Sequence, residues 1–381
     1  AVCVSTPDHN HAIQAMAAMQ LGKHVYVEKP LTHDIYEARM LTEAAEKYKV
    51  VTQMGNQGAS GDGVRQMTEW YQAGLIGDVH TVKVWTNRPV WPQGIKWPQP
   101  APSIPAELDW DLWLGTAPHK EYVDGLVPFN WRGWWDYGTG ALGDMACHLM
   151  EPPFTVLGLN YPDRVEASVG AVYVDEFRRG YFPDSCPPSS HIVLNFPEEG
   201  DRQKVTMHWM DGGIQPERPE ELEPNEIMGD GGNGVLMIGD KGTMMCSTYG
   251  RNPRLLPTSL NEVIAVPETI SRVPEGHYHQ WVNGCLAGYG EMKMSSGFET
   301  AGPLTESILM GNLAIRSYDY LEQVTETYTD DTGVEKSRVR DTFPGRNIQL
   351  LWDGPNMKIT NFEPANQFVK REYRDGWSLG I

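Results

Sequence analysis

Residues 24–30 read His24-Val25-Tyr26-Val27-Glu28-Lys29-Pro30, and residues 1–11 read Ala1-Val2-Cys3-Val4-Ser5-Thr6-Pro7-Asp8-His9-Asn10-His11. Each is a short apolar run that breaks into a polar turn. Between them lies an Ala- and Met-rich stretch that stops at Gly22 and has the composition of a helix. Strand, helix and strand in that order make a βαβ unit, so the two runs are predicted to lie parallel in one sheet. Lys29 then sits at the carboxyl end of its strand, where open α/β sheets carry their chemistry.

Working outward, a helix is predicted over about Asp34 to Tyr48, then a strand from Val50 to Met54 ending in Gly55-Asn56-Gln57-Gly58, then a helix from about Gly63 to Ala73. Past Gly77 the strand-helix alternation gives way to alternating β patterns, beginning with His80 to Trp85. Strands are predicted over Arg164 to Tyr173, His191 to Phe196, Lys204 to Trp209, Val235 to Ile238 and Thr243 to Cys246. Helices are predicted over Gly140 to Leu157, His279 to Leu286 and Leu304 to Tyr318. The expected class is therefore α/β: a partial parallel-sheet domain over 1–78, then an α+β domain with a mainly antiparallel open sheet over 79–320. Residues 321–381 are expected to be a polar tail, packing on the second domain or on a neighbouring subunit.

With 381 residues the chain is long enough for two domains with cores of their own. Its 31 Lys+Arg against 50 Asp+Glu give a net charge of -19, which argues against a nucleic-acid partner. No run approaches the roughly 18 apolar residues a membrane helix requires. The five cysteines are scattered and lack Cys-x-x-Cys spacing, so they read as buried thiols, with neither a disulfide framework nor a zinc site. No targeting signal is legible, which leaves a cytoplasmic and an exported protein equally open. Eight of the thirteen tryptophans fall between Trp85 and Trp135. They either fill a thin core under a long loop or line a site where indole faces stack on a sugar.

Asp144 and His148 stand four apart on the helix opened by Gly138, Gly140 and Gly143, so they share one face. Taken alone, such a pair is more often a surface ion pair. Joined to the Glu28-Lys29-Pro30 strand end and the Ser5-Thr6-Pro7-Asp8-His9-Asn10-His11 turn, it resembles the glucose-fructose oxidoreductase / inositol dehydrogenase / MocA (Gfo/Idh/MocA) family of NAD(P)-dependent oxidoreductases. The resemblance covers residues 1 to about 320. It implies a Rossmann-like first domain, NAD or NADP as cofactor, a carbohydrate or polyol substrate, and a homo-oligomer. His148 is then the acid/base, Asp144 binds a substrate hydroxyl, and Lys29 holds the reacting hydroxyl. Thr6, Pro7, Asn10, His11, Glu28, Lys29, Pro30, Asn56, Gln57, Trp131 and Arg132 fall at cofactor-contacting positions, with a cis peptide before Pro30 aiming Lys29 inward. Gln57 departs from the Asn-Arg that many members carry there. His277 and Tyr278 are candidates for the substrate side. The His-x-His spacing of residues 277–279 lacks the further ligands that a metal requires, and none is expected.

A dinucleotide fold normally opens with a strand, a Gly-rich turn and a helix. This chain reads as starting at a later strand, with on the order of 60 to 80 residues, at about 30 per βαβ unit, expected before it. Gly138 to Gly143 and Gly229 to Gly234 both match G-x-G-x-x-G, but neither follows a buried parallel strand, so both read as decoys. Two other functions stay open: an NAD-dependent glycosidase that works by transient oxidation and elimination, and a non-catalytic sugar-binding module.

Overall fold

The computed structural model describes residues 1–380. Strands β1 (Val2–Val4), β2 (Val25–Val27) and β3 (Thr52–Met54) form a three-stranded parallel sheet in that order, with Val2 opposite Val25 and Val25 opposite Thr52. Side chains alternate across a strand. Val25 and Val27 accordingly join the main core with helices α1 (His11–Gln20) and α2 (Ile35–Tyr48), whereas Tyr26 faces the other way, onto Trp281 at 5.6 Å. A capping box starts α2: Asp34 accepts the Glu37 N–H at 2.8 Å while Glu37 accepts the Asp34 N–H at 3.3 Å. Helix α3 (Asp62–Gln72) leads into the second unit.

There β4 (Val79–Trp85) is followed by helix α4 (Trp110–Leu114) within the Trp-rich excursion, then by α5 (Gly140–Leu149) and α6 (Glu151–Val156). The single helix expected from Gly140 to Leu157 is thus two. Pro152 and Pro153 carry no N–H and are tolerated only in the first turn of a new helix. Strand β5 (Arg164–Val169) ends before Gly170, and β6 (Tyr173–Asp175) pairs with β7 (Arg178–Arg179) in a separate ribbon, so the strand expected from Arg164 to Tyr173 is also divided. Strands β8 (Ser190–Phe196), β9 (Val205–Met210), β10 (Gly234–Gly239), β11 (Thr243–Cys246) and β12 (Arg254–Leu256) follow. Helices α7 (Leu260–Val263), α8 (Gly276–Ala287) and α9 (Phe298–Tyr318) come next. Helix α8 carries Trp281 and so packs on the first sheet. Helix α9 begins six residues earlier than expected and holds Pro303 inside it, giving up one hydrogen bond in its second turn.

The polar end of the chain is more ordered than a tail. Strands β13 (Glu322–Thr329) and β14 (Glu335–Thr342) form an exposed hairpin, and β15 (Leu350–Asp353) and β16 (Lys358–Ile359) extend the large sheet through β5. That sheet runs β12-β11-β10-β4-β9-β8-β5-β15-β16, antiparallel except for the β4/β9 pair. The last residues pack on the second unit, where Arg374 donates to the Gly115 carbonyl at 3.1 Å, and they also cross back onto the first unit. Arg371 Nη2 meets Glu37 Oε1 at 2.8 Å, Tyr373 donates to the same oxygen at 2.6 Å, and Gln20 donates to the Gly380 carbonyl at 2.9 Å. Glu37 is fully buried by these contacts, and a buried carboxylate requires such partners.

Candidate active site

The strand-end turns after β1 and β2 and the start of α5 bound a cleft of about 670 Å³ between the two units. Lys29 Nζ crosses it and donates to both the carbonyl and the carboxylate Oδ1 of Asp144, each at 2.7 Å. Arg132 Nε stands 3.6 Å from the same oxygen. The peptide before Pro30 is cis. Gly55 leaves the space that Glu28 occupies, since a Cβ there would lie 2.5 Å from Glu28 Oε2. Burial raises the Glu28 carboxyl above its usual range, and Lys29 partly opposes the rise.

Of the residues singled out by sequence, Thr6, Pro7, His11, Glu28, Lys29, Trp131, Arg132 and Asp144 line this cleft. His11 also holds the local backbone, with its ring nitrogens 2.8 Å from the Pro30 carbonyl and 2.7 Å from that of Thr6. The others lie elsewhere. Asn10 bonds the Trp113 carbonyl and the Thr116 N–H, fastening the helix start to the Trp-rich loop. Asn56 is buried against Ser296, and Gln57 donates to the Tyr278 hydroxyl beside a separate hollow that holds Tyr249 and Arg251. His277 has both nitrogens engaged, Nδ1 with Ser60 Oγ at 2.7 Å and Nε2 with the Met54 carbonyl at 2.8 Å. In place of a substrate contact it forms a buried pin between α8 and the first sheet.

His148 lies one turn beyond Asp144 and is 5% exposed. Its Nδ1 is buried without a partner, and its ring meets Tyr249 edge-on at 4.6 Å. Burial first, and then the Lys29 charge, pushes the imidazole down to about 3, so it is neutral at physiological pH. The structure joins Lys29 directly to Asp144 and keeps His148 within their field but off the cleft wall.

Two of the lining residues that were not singled out carry polar or aromatic groups of note. Asp8 is buried, accepts from Thr139 at 2.7 Å and has its carboxyl raised by burial. Trp113 belongs to a satellite core with Trp97, Trp110, Trp131, Trp134 and Tyr137, in which Trp110 and Trp113 stack at 4.9 Å. Asp8 was present in the turn motif, and Trp113 lay within the tryptophan excess. Tyr249, which holds the His148 ring from the other side, gave no sequence signal. The indoles fill a core, as one reading expected, and Trp113 and Trp131 also wall the cleft.

These groups suit the nicotinamide end of a dinucleotide: Thr6 Oγ1 is a buried hydroxyl without a partner, and Glu28 and Lys29 stand beside it. Of the two glycine runs, one opens α5 and the other leads into β10, so neither follows a strand of the parallel sheet. Among the described residues no helix is long and apolar enough to cross a membrane.

Comparison with known proteins follows the same division. Residues 1–56 match the NAD-binding Rossmann fold of the Gfo/Idh/MocA oxidoreductase family, and residues 65–177 match its C-terminal alpha/beta domain. A levoglucosan dehydrogenase of Pseudarthrobacter phenanthrenivorans is 26% identical over 151 residues, 39% of this chain and 31% of that protein. A myo-inositol 2-dehydrogenase of Thermotoga maritima is 23% identical over 267 residues, 62% of this chain and 74% of that protein. Among solved structures, an oxidoreductase domain protein from Kribbella flavida has a TM-score of 0.50 at 18% identity, covering 83% of this chain and 78% of its own. An NAD binding oxidoreductase from Klebsiella pneumoniae has a TM-score of 0.50 at 17% identity, with the same coverage. Both units of the chain are thus similar, in order, to the two domains of the Gfo/Idh/MocA oxidoreductases, the first of them an NAD-binding Rossmann fold.

Proposed function

We propose that the cleft oxidises a secondary hydroxyl of a sugar, sugar derivative or cyclic polyol, using NAD or NADP. The observation that carries this reading is the Lys29–Asp144 contact, which fixes a cation at the cleft wall between the two units. The nicotinamide, when bound, supplies the acceptor for the hydrogen that leaves the carbinol carbon. Lys29 Nζ has three donors, two of them on Asp144, and the third is free to hold the reacting hydroxyl and lower its pKa. Asp144 fixes that ammonium and accepts from a neighbouring substrate hydroxyl. His148, neutral and one turn beyond Asp144, takes the hydroxyl proton from a substrate that reaches past the Lys29–Asp144 pair, through Nε2, since Nδ1 is sealed from solvent. Trp113 and Trp131 exclude water and offer apolar faces to a ring. The named relatives act on levoglucosan and myo-inositol, both ring compounds rich in hydroxyls, which supports the substrate class.

The test is a panel of sugars and cyclic polyols incubated with NAD and, separately, NADP, following reduced cofactor and oxidised product together. Equal accumulation of both supports the reading. Glycoside cleavage with cofactor needed only in catalytic amount replaces it with the redox-neutral glycosidase, and binding without turnover replaces it with a sugar-binding module. A homo-oligomer belongs to the same proposal. It is supported by the exposed Val324, Tyr328 and Val339 of the β13/β14 hairpin and is read by light scattering.

A further inference from the structure

Behind the Lys29 turn lies a second, smaller cavity of about 180 Å³, between the start of α2, the Gly138-Thr139 entry to α5, the last turns of α9 and the final residues of the chain. It shares no lining residue with the cleft. Arg316 projects into it, with its guanidinium 4.3 Å from the Phe368 ring centroid and 5.6 Å from that of Trp135. Among the described residues, no carboxylate stands within ion-pair distance of Arg316 and no acceptor bonds it. Five planar donors are therefore left without protein partners, facing the cavity.

Three of the acids in the neighbourhood are already committed, and a fourth, Glu372, lines the cavity from its exposed side. Asp34 caps α2 and accepts the Arg371 N–H, Glu37 holds the Arg371 guanidinium and the Tyr373 hydroxyl, and Asp136 pairs with Lys120 at 2.7 Å. Two polar atoms in the wall are buried and unsatisfied: Asn312 Oδ1 and His33 Nε2. Asn312 is 6% exposed, stands one turn before Arg316 on the same face of α9, and fastens its amide to the Thr139 carbonyl, which leaves the oxygen for a donor in the cavity.

We infer that this cavity is a second binding site, for a small oxyanion of phosphate or carboxylate type that also bears a hydroxyl. The oxyanion edge meets the guanidinium fork, a match that planar Arg makes bidentately, and the hydroxyl donates to Asn312 Oδ1. Phe368 and Trp135 hold the guanidinium plane and exclude competing water. The volume suits a handful of heavy atoms, with a water taking about 30 Å³, and is too small for a dinucleotide.

The test uses the 381-residue protein in phosphate-free buffer, titrated calorimetrically with inorganic phosphate and, separately, with glycolate, against chloride at matched ionic strength. Saturable binding of either anion at one site per chain is expected, and the arm that binds more tightly identifies the source. Arg316→Gln should weaken it by about tenfold or more. Lys29→Met, which removes a cation of the larger cleft, should leave it unchanged. Binding no stronger than chloride, equal binding by Arg316→Gln, or loss in Lys29→Met would each overturn the assignment. If Arg316→Gln does not fold, crystals of the unaltered protein soaked in selenate decide the matter: an anomalous peak within hydrogen-bond distance of Arg316 supports the site, and ordered water alone in the cavity rejects it.

Discussion

Asp144 Oδ1 accepts from Lys29 and faces Arg132 at 3.6 Å, so one carboxylate balances two cations at the cleft. On the proposed roles, His148→Ala should lower kcat by about 10² to 10⁴ while leaving the dinucleotide's affinity nearly unchanged, because the imidazole serves the proton and does not line the cleft. Lys29→Ala should impair turnover and cofactor binding together. Steady-state kinetics with cofactor titration separates the two, and near-normal turnover in His148→Ala would remove the acid/base assignment. Glu151, at the start of α6, is a second informative residue. Burial pushes its carboxyl up from 4.5 to about 7, and only Oε1 has a partner, the Thr155 hydroxyl at 2.8 Å. A carboxyl raised in the folded state contributes stability that is present below about pH 4.5 and lost as the pH climbs through about 7. Glu151→Gln has no proton to lose there. Its stability relative to the parent should therefore increase between pH 5 and pH 8, by on the order of 2–3 kcal/mol in urea titrations, and a pH-independent difference would place the titration elsewhere. Lys29 and Asp144 were legible because a strand end and a helix face each fix where a side chain goes. The pinned state of His277 was not, because its partners Ser60 and the Met54 carbonyl lie more than two hundred positions away.

At the scale of elements, the α2 cap joins the two ends of the chain, since Asp34 both starts the helix and accepts the backbone N–H of Arg371. Asp34→Ala should cost about 1–2 kcal/mol, the upper range for a lost cap. Urea unfolding checks it, and a loss below about 0.5 kcal/mol would show that the cap holds little. The parallel strands and α2 could be read from sequence because apolar runs, a polar turn and an Asp-x-x-Glu box all agree. The β13/β14 hairpin could not. Its residues, Glu322 to Thr329 and Glu335 to Thr342, are mostly polar, and Val324, Tyr328 and Val339 are too sparse to make a period-two apolar stripe. The break between α5 and α6 was legible in Pro152-Pro153 and was read through.

For the whole molecule, the described residues offer groups for the nicotinamide end of a dinucleotide, whereas neither G-x-G-x-x-G run stands at a parallel strand end to take its pyrophosphate. NADH titrated by fluorescence into this 381-residue chain should accordingly bind only weakly, and micromolar affinity would mean that other donors hold the phosphates. The two-unit plan was visible from the change of periodicity near Gly77, whereas the return of the last residues to the first unit rests on contacts that no local pattern announces. That return has a consequence for synthesis. Arg371 reaches Glu37 across 334 positions of chain, and ribosomes add about 5–20 residues per second. For roughly 20 to 70 s after α2 emerges, the Glu37 carboxylate has no guanidinium to meet. The amino-terminal layer thus stays unfinished on the ribosome, its acidic seam open to water or a chaperone, until translation delivers the cation that closes it.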